Sequence, residues 1–86
     1  KTGDQGIDLI ASIENYRLCI QCKDHRQPIG NKAVQEVTAG TKYWNGTHAI
    51  LVSQSGYTKS AYKLGAANNV LLISTIELNN IDAFIT

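Results

Sequence analysis

Hydrophobic and polar residues alternate along the first quarter of the chain with the two-residue period of β-strands. Residues 7–13 and 16–23 are both rich in apolar, β-branched and aromatic residues, and a compact Glu-Asn turn at 14–15 separates them. A two-residue hairpin loop fixes which positions of the two strands face each other. In this register Asp8 is predicted to lie directly opposite Gln21.

This register divides the hairpin into two faces. The apolar face is predicted to contain Ile7, Leu9, Ala11, Ile13, Tyr16, Leu18, Ile20 and Cys22. The other face collects Asp8, Gln21 and Lys23 at one end, with Ile10 and Cys19 behind them. Because these apolar neighbours indicate partial burial, the polar group needs either hydrogen-bond partners or a function. An ordinary half-solvated hairpin is the structural alternative.

The rest of the chain alternates between helical and strand patterns. After a loop that contains Pro28 and Gly30, apolar residues recur at helical spacing in some segments and in short continuous runs in others. The predicted elements are a helix over residues 32–44, a strand over 47–53, a helix over 59–68, a strand over 70–74 and a last helix over 77–85. The predicted fold class is therefore α/β, a mixed sheet with helices on both faces.

Composition supports a single folded domain. The chain has 86 residues, of which 43% are hydrophobic and 17% are charged, and this balance excludes a disordered chain. The net charge of +1 neither favours nor excludes a nucleic-acid partner, so contact with DNA must depend on where individual cations lie. No apolar run approaches the ~20 residues that a membrane helix requires, so no membrane partner is expected.

The two cysteines, Cys19 and Cys22, form a CxxC sequence that could indicate zinc binding or redox chemistry. Positions three apart on a strand point to opposite faces, and the sequence has no second cysteine pair to complete four ligands. We therefore predict that the two thiols share neither a metal nor a disulfide. Two reduced cysteines are typical of a cytoplasmic protein.

The group formed by Asp8, Gln21 and Lys23 is suited to metal-dependent hydrolysis of phosphodiester bonds. Mg²⁺ takes oxygen ligands, of which Asp8 offers a carboxylate and Gln21 an amide oxygen. The backbone carbonyl of Cys22, between Gln21 and Lys23, is a third candidate ligand. Lys23 supplies a positive charge that can orient the attacking water and stabilise charge developing on the phosphate.

The segments GDQGIDLI and CIQCK together resemble the catalytic core of PD-(D/E)xK nucleases, in the D…QxK variant of Mrr-like type IV restriction endonucleases. The resemblance implies that Asp8 is the catalytic metal-binding residue, that Gln21 occupies the Glu-or-Gln position and that Lys23 is the catalytic lysine. It adds Gln35, in the helix that follows, as a fourth catalytic candidate. The segment SQSGYTKSA at 53–61 is similar to the family's late strand-to-helix junction.

The resemblance also implies a fold, a cofactor, a substrate and a parent protein for this domain. It implies a three-layer restriction-endonuclease-like core whose opening helix is missing here, Mg²⁺ as cofactor with Mn²⁺ as a substitute, and DNA as substrate. Residues 1–86 would form one nuclease domain, a piece of a longer prokaryotic cytoplasmic protein. In that protein an attached domain would recognise the target, and the expected assembly is a homodimer or a larger oligomer.

Further phosphate contacts are predicted where the strand over 47–53 ends. Ligands commonly bind at the carboxyl ends of parallel strands, and the N-terminus of the following helix attracts phosphate. The candidates for DNA or phosphate binding are Ser55, Tyr57, Thr58, Lys59 and Lys63, together with Arg26 in the loop that follows Lys23. Helix capping and ordinary solvated loop residues are the structural alternatives.

Three functions are consistent with these residues. The first is a metal-dependent DNA endonuclease of a restriction system directed at modified DNA. The second is a junction resolvase or repair nuclease with the same core, and the third is an inactive nuclease-like module that binds DNA. The presence of Asp8, Gln21 and Lys23 favours the first two over the third.

Overall fold

The computed structural model describes residues 6–80, which form four β-strands, two α-helices and one 3-10 helix. In chain order the elements are β1 (Leu9–Ile13), β2 (Tyr16–Lys23), α1 (Asn31–Tyr43), β3 (His48–Ser53), α2 (Lys59–Ala67), β4 (Val70–Ser74) and the 3-10 helix Glu77–Asn80. Every element predicted up to residue 74 is present, with small differences at its ends. None of the helices within residues 6–80 is long and apolar enough to cross a membrane.

The four strands form one mixed sheet in the order β1-β2-β3-β4. β1 and β2 are antiparallel, whereas β2, β3 and β4 run parallel to one another. Leu9 pairs with Ile20, which confirms the predicted hairpin register from that pair to the turn. Because the last three strands are parallel, their carboxyl ends lie at one edge of the sheet, where Lys23 is beside Ser53.

Both described α-helices pack on one face of the sheet and cover the larger core. Its buried members are Ile7, Cys19, Ile29, Ala33, Val34, Val37, Ala49, Leu51, Ala61 and Val70. The opposite face carries a smaller buried group, against which Leu78 of the 3-10 helix packs: Leu18, Ile20, Ile50, Val52 and Ile73. In a fold with helices on both faces of the sheet, the last helix was predicted over residues 77–85. Its first residues form the 3-10 helix, and residues 81–85 lie outside the described residues.

The beginning of the hairpin differs from the prediction. The Asp8 N–H donates to the Ile20 carbonyl at 2.9 Å instead of continuing the regular ladder, so Asp8 is not paired with Gln21. Ile7 is fully buried in the helix-covered core, whereas the predicted register placed it on the opposite face. Gly6, with φ 71°, turns the chain at this point. Burial of one more isoleucine side chain under the helices favours this turn over continued strand pairing.

The turn between α1 and β3 leaves no room for a side chain at Gly46. A Cβ atom there would lie 2.5 Å from Cys19 Sγ and 2.9 Å from Thr41 Cγ2. Gly46→Ala is therefore expected to lower the free energy of unfolding, measured by urea denaturation, by about 1–3 kcal/mol. Gly30→Ala is the matched control, because a Cβ at Gly30 would have nothing within 4 Å. Equal stability of the two variants would contradict this packing.

Candidate active site

A side-chain hydrogen bond joins Asp8 to the end of β2. The Cys22 N–H donates to Asp8 Oδ2 at 2.9 Å, so the carboxylate lies beside the Gln-Cys-Lys segment. Gln21 and Lys23 are directed toward α1, since both line one cavity with Glu36 of that helix. The structure thus brings Asp8, Gln21 and Lys23 to the same end of β2, at the edge where the parallel strands end.

Gln21 has a buried oxygen without a hydrogen-bond partner in the described part of the chain. Its Oε1 is enclosed, yet no donor within residues 6–80 reaches it. The side chain lines a cavity of about 410 Å³ together with Gly6, Lys23, Glu36 and Ala39. An unpaired buried oxygen costs about 1–3 kcal/mol, so pairing it with a cation or a hydrogen-bond donor would recover that free energy.

Lys23 contacts an acidic residue that the sequence patterns did not single out. Its Nζ lies 3.2 Å from Glu36 Oε1, and the two side chains are 19% and 39% exposed, respectively. Ion pairs that remain accessible to water contribute about 0–1 kcal/mol to stability. The main consequence of this pair is therefore the position of the Lys23 ammonium at the mouth of the cavity.

The structure does not place Gln35, the helix residue that the family resemblance selected, with Asp8, Gln21 and Lys23. It is exposed and lines a separate surface depression with Thr38, Lys42 and Asn68. Successive residues of an α-helix are rotated by about 100°, so Gln35 lies nearly opposite the buried stripe of α1 while Glu36 lies at its border. That border position, readable from the helical period, was the signal in the sequence that could have identified Glu36.

The Lys23–Glu36 pair separates two cavities. The second has a volume of about 220 Å³ and lies between the loop after β2 and the first turn of α1. It is lined by Lys23, His25, Pro28, Ile29, Gly30, Lys32, Ala33 and Glu36. His25 and Lys32, whose nitrogen atoms can contact phosphate, thus lie on one side of the pair. Gln21, with its unpaired oxygen, lies on the other side.

Tyr57, one of the predicted phosphate contacts, is bound within the fold. Its hydroxyl lies 2.8 Å from the Leu51 carbonyl and 2.7 Å from the Ile73 carbonyl, and it therefore links β3 to β4. Burial, and then the neighbouring Tyr62, raise the pKa of Tyr57 well above its usual range. The side chain accordingly remains a neutral hydrogen-bond donor, and its single proton is directed at backbone carbonyls.

Ser55 and Thr58 also have partners within the protein. Ser55 Oγ donates to the Gln27 carbonyl at 2.8 Å. Thr58 Oγ1 accepts from the Ala61 N–H at 3.0 Å and forms the N-cap of α2. The remaining predicted DNA contacts are exposed cations, Arg26, Lys59 and Lys63. At this junction the hydroxyls are thus engaged in the fold, whereas the cations extend into solvent.

The two cysteines lie on opposite faces of β2, in agreement with the strand period. Cys19 is buried in the helix-covered core, where burial raises the pKa of its thiol, and Cys22 is exposed. Both are free thiols in the structure. Within residues 6–80, no three His, Cys, Asp or Glu side chains converge. A cation at this end of β2 would therefore depend on amide and backbone oxygens as well as carboxylates.

The oxygen donors at the end of β2 fit a hard divalent cation. They are the Asp8 carboxylate, the unpaired Gln21 Oε1 and the Cys22 backbone carbonyl, and all of them present oxygen, which Mg²⁺ and Mn²⁺ prefer. Asp8 uses Oδ2 to accept from the Cys22 N–H, which leaves its other oxygen for a ligand. These residues would hold the cation, whose charge would neutralise part of an approaching phosphate.

Comparisons with known proteins identify the family and the fold of this chain. The family model Mrr_cat, described as restriction endonuclease, matches residues 1–81. No curated relative matches the sequence. Among solved structures, the chain is similar to one titled as the crystal structure of protein of unknown function AF1548, with a TM-score of 0.69 and 22% identity. The match covers 79% of this chain and 40% of that one, so the chain spans well under half of that relative, and the likeness concerns the fold alone.

Proposed function

This chain belongs to the Mrr_cat family of restriction endonucleases, and we propose that it is the Mg²⁺-dependent nuclease domain of a restriction system directed at modified DNA. Membership makes it a restriction-endonuclease-like nuclease domain, which hydrolyses DNA. One observation carries the finer proposal. The Asp8 carboxylate is hydrogen-bonded to the end of β2, where Gln21, with its unpaired oxygen, and Lys23 line a cavity that is open to solvent.

Each residue has a distinct role in this proposal. Asp8, Gln21 and the Cys22 carbonyl hold the cation, and the bound cation supplies positive charge next to the scissile phosphate. Lys23 orients the attacking water and stabilises the negative charge that develops on the phosphate oxygens. Gln35 has no direct role in this proposal, because its side chain lies on a different face of α1 from Glu36.

The DNA backbone is assigned to the exposed cations Arg26, Lys59 and Lys63. Cations at the surface contact phosphates without reading sequence, so they position the duplex and do not select a target. The described residues form the sheet, its helices and the candidate site. Target recognition is therefore assigned to a domain attached to this one, within a cytoplasmic homodimer or larger oligomer.

Cleavage of plasmid DNA by the full-length protein tests the proposal. Nicked or linear product is expected with Mg²⁺ or Mn²⁺ and is expected to disappear when EDTA is added. Modified and unmodified plasmids are compared in parallel, together with a synthetic four-way junction. Undiminished cleavage in EDTA would contradict metal dependence, cleavage confined to the junction would favour a resolvase, and binding without cleavage would favour an inactive module.

A further inference from the structure

We propose that Glu36 supplies a second carboxylate to the cation site and so compensates for the neutral amide of Gln21; this inference rests on the proposed function. The strand segment that ends in Lys23 provides the site with an amide oxygen but no negative charge. Glu36 approaches from α1 and lines the same cavity as Gln21. A helix thus brings to the site the charge that the strand lacks.

The position of Glu36 is set by packing against the segment that precedes Asp8. A Cβ atom on Gly6 would lie 3.2 Å from the Glu36 carbonyl oxygen and 3.3 Å from Glu36 Cβ, so the two backbones are in close contact. Gly6 has φ 71°, a conformation that glycine adopts without strain. The segment that leads into Asp8 and β1 therefore lies directly against the turn of α1 that carries Glu36.

The contact between Glu36 and Lys23 leaves a carboxylate oxygen for a cation. Glu36 Oε1 lies 3.2 Å from Lys23 Nζ, and within residues 6–80 this is the hydrogen bond that the Glu36 side chain makes. The carboxylate is 39% exposed, so it can exchange partners at little cost, since such pairs contribute about 0–1 kcal/mol. One side chain can in this way position the ammonium and bind the cation.

The charges in the site agree with this assignment. Mg²⁺ is usually bound by one or two carboxylates together with water and substrate phosphate. With Asp8 alone, the Lys23 ammonium would offset the carboxylate charge, and the attraction for a divalent ion would be weaker. With Glu36 included, the site contains two carboxylates and one ammonium, and its net negative charge attracts the cation.

Mn²⁺ affinity of the full-length protein, measured by electron paramagnetic resonance without DNA, tests the inference. Glu36→Gln is expected to weaken Mn²⁺ binding at least about tenfold, the lower end of what residues that support metal ligands contribute. Gln21→Glu in the same protein is expected to restore the affinity, because it returns the second carboxylate from the strand side. Glu36 is 39% exposed and Gln is an equally good helix former, so the variant is expected to fold.

Glu14→Gln is the matched control, because it removes the same charge from an exposed position at the far end of the hairpin. Its Mn²⁺ affinity is expected to equal that of the parent. Unchanged Mn²⁺ affinity in Glu36→Gln, with reduced cleavage, would show that Glu36 only positions Lys23 and would overturn the inference. Failure of Gln21→Glu to restore binding would overturn it as well. If Asp8→Ala also kept its Mn²⁺ affinity, the proposed function itself would fail, so the two failures are distinguishable.

Discussion

Asp8→Ala is expected to abolish DNA cleavage and Mn²⁺ binding together. The Asp8 carboxylate lies beside the Cys22 N–H and the end of β2, where the unpaired Gln21 oxygen is found. Its removal leaves a neutral amide, a backbone carbonyl and at most one carboxylate, which is too little charge to hold a hard divalent cation. Plasmid nicking and Mn²⁺ titration of the full-length protein measure the two losses.

Asp8→Asn separates cation binding from folding. The amide oxygen of asparagine can still accept from the Cys22 N–H, so this variant is expected to keep the parent melting temperature while losing both activities. Asp8→Ala loses the hydrogen bond as well and is expected to be less stable by about 0.5–1.5 kcal/mol. An Asp8→Asn protein that cuts DNA at the parent rate would contradict the assignment of Asp8 to the cation.

Lys23→Ala is expected to reduce cleavage by on the order of 100-fold or more while leaving Mn²⁺ binding unchanged or tighter. An ammonium acts on water and on phosphate charge and is not a metal ligand, so its loss removes transition-state stabilisation without removing a donor. Loss of the Lys23 charge also frees Glu36, its partner at 3.2 Å, to face the cation. Single-turnover cleavage and Mn²⁺ titration provide the two readouts.

Lys42→Ala is the control for this experiment. Lys42 is exposed in the last turn of α1 and lines a different depression, so its loss changes the net charge equally without reaching the site. Parent-like cleavage and Mn²⁺ affinity are expected. If Lys23→Ala instead lost stability and Mn²⁺ binding together, the lysine would be a structural support of the site, and its assignment to the chemistry would be wrong.

Local patterns were sufficient to predict most of the secondary structure. The hairpin register followed from the two-residue turn alone, because a short loop leaves only one way to pair its strands. The continuous apolar runs that became β3 and β4 were identified because parallel strands covered on both faces exclude polar residues. Gln21 and Lys23 could be grouped because the period of a strand assigns each side chain to a face. Asp8 lies outside the regular pairing and is held at the same end of β2 by the hydrogen bond from the Cys22 N–H.

The remaining features depended on contacts between residues that are distant in the sequence. The strand period placed Ile7 on the wrong face, because it contains no information about where the strand bends to bury a side chain under α1. Gln35 and Glu36 are adjacent on one helix. The helical period places Glu36 at the border of the buried stripe, but the position of α1 over the sheet determines that Glu36 contacts Lys23. The sequence by itself predicted that Gln21 and Lys23 lie on one face at the end of β2, whereas Asp8 departed from its predicted pairing. The tertiary structure decided the helix side, because the direction of a helical residue toward the site is set by the packing of the whole element and not by its neighbours in the chain.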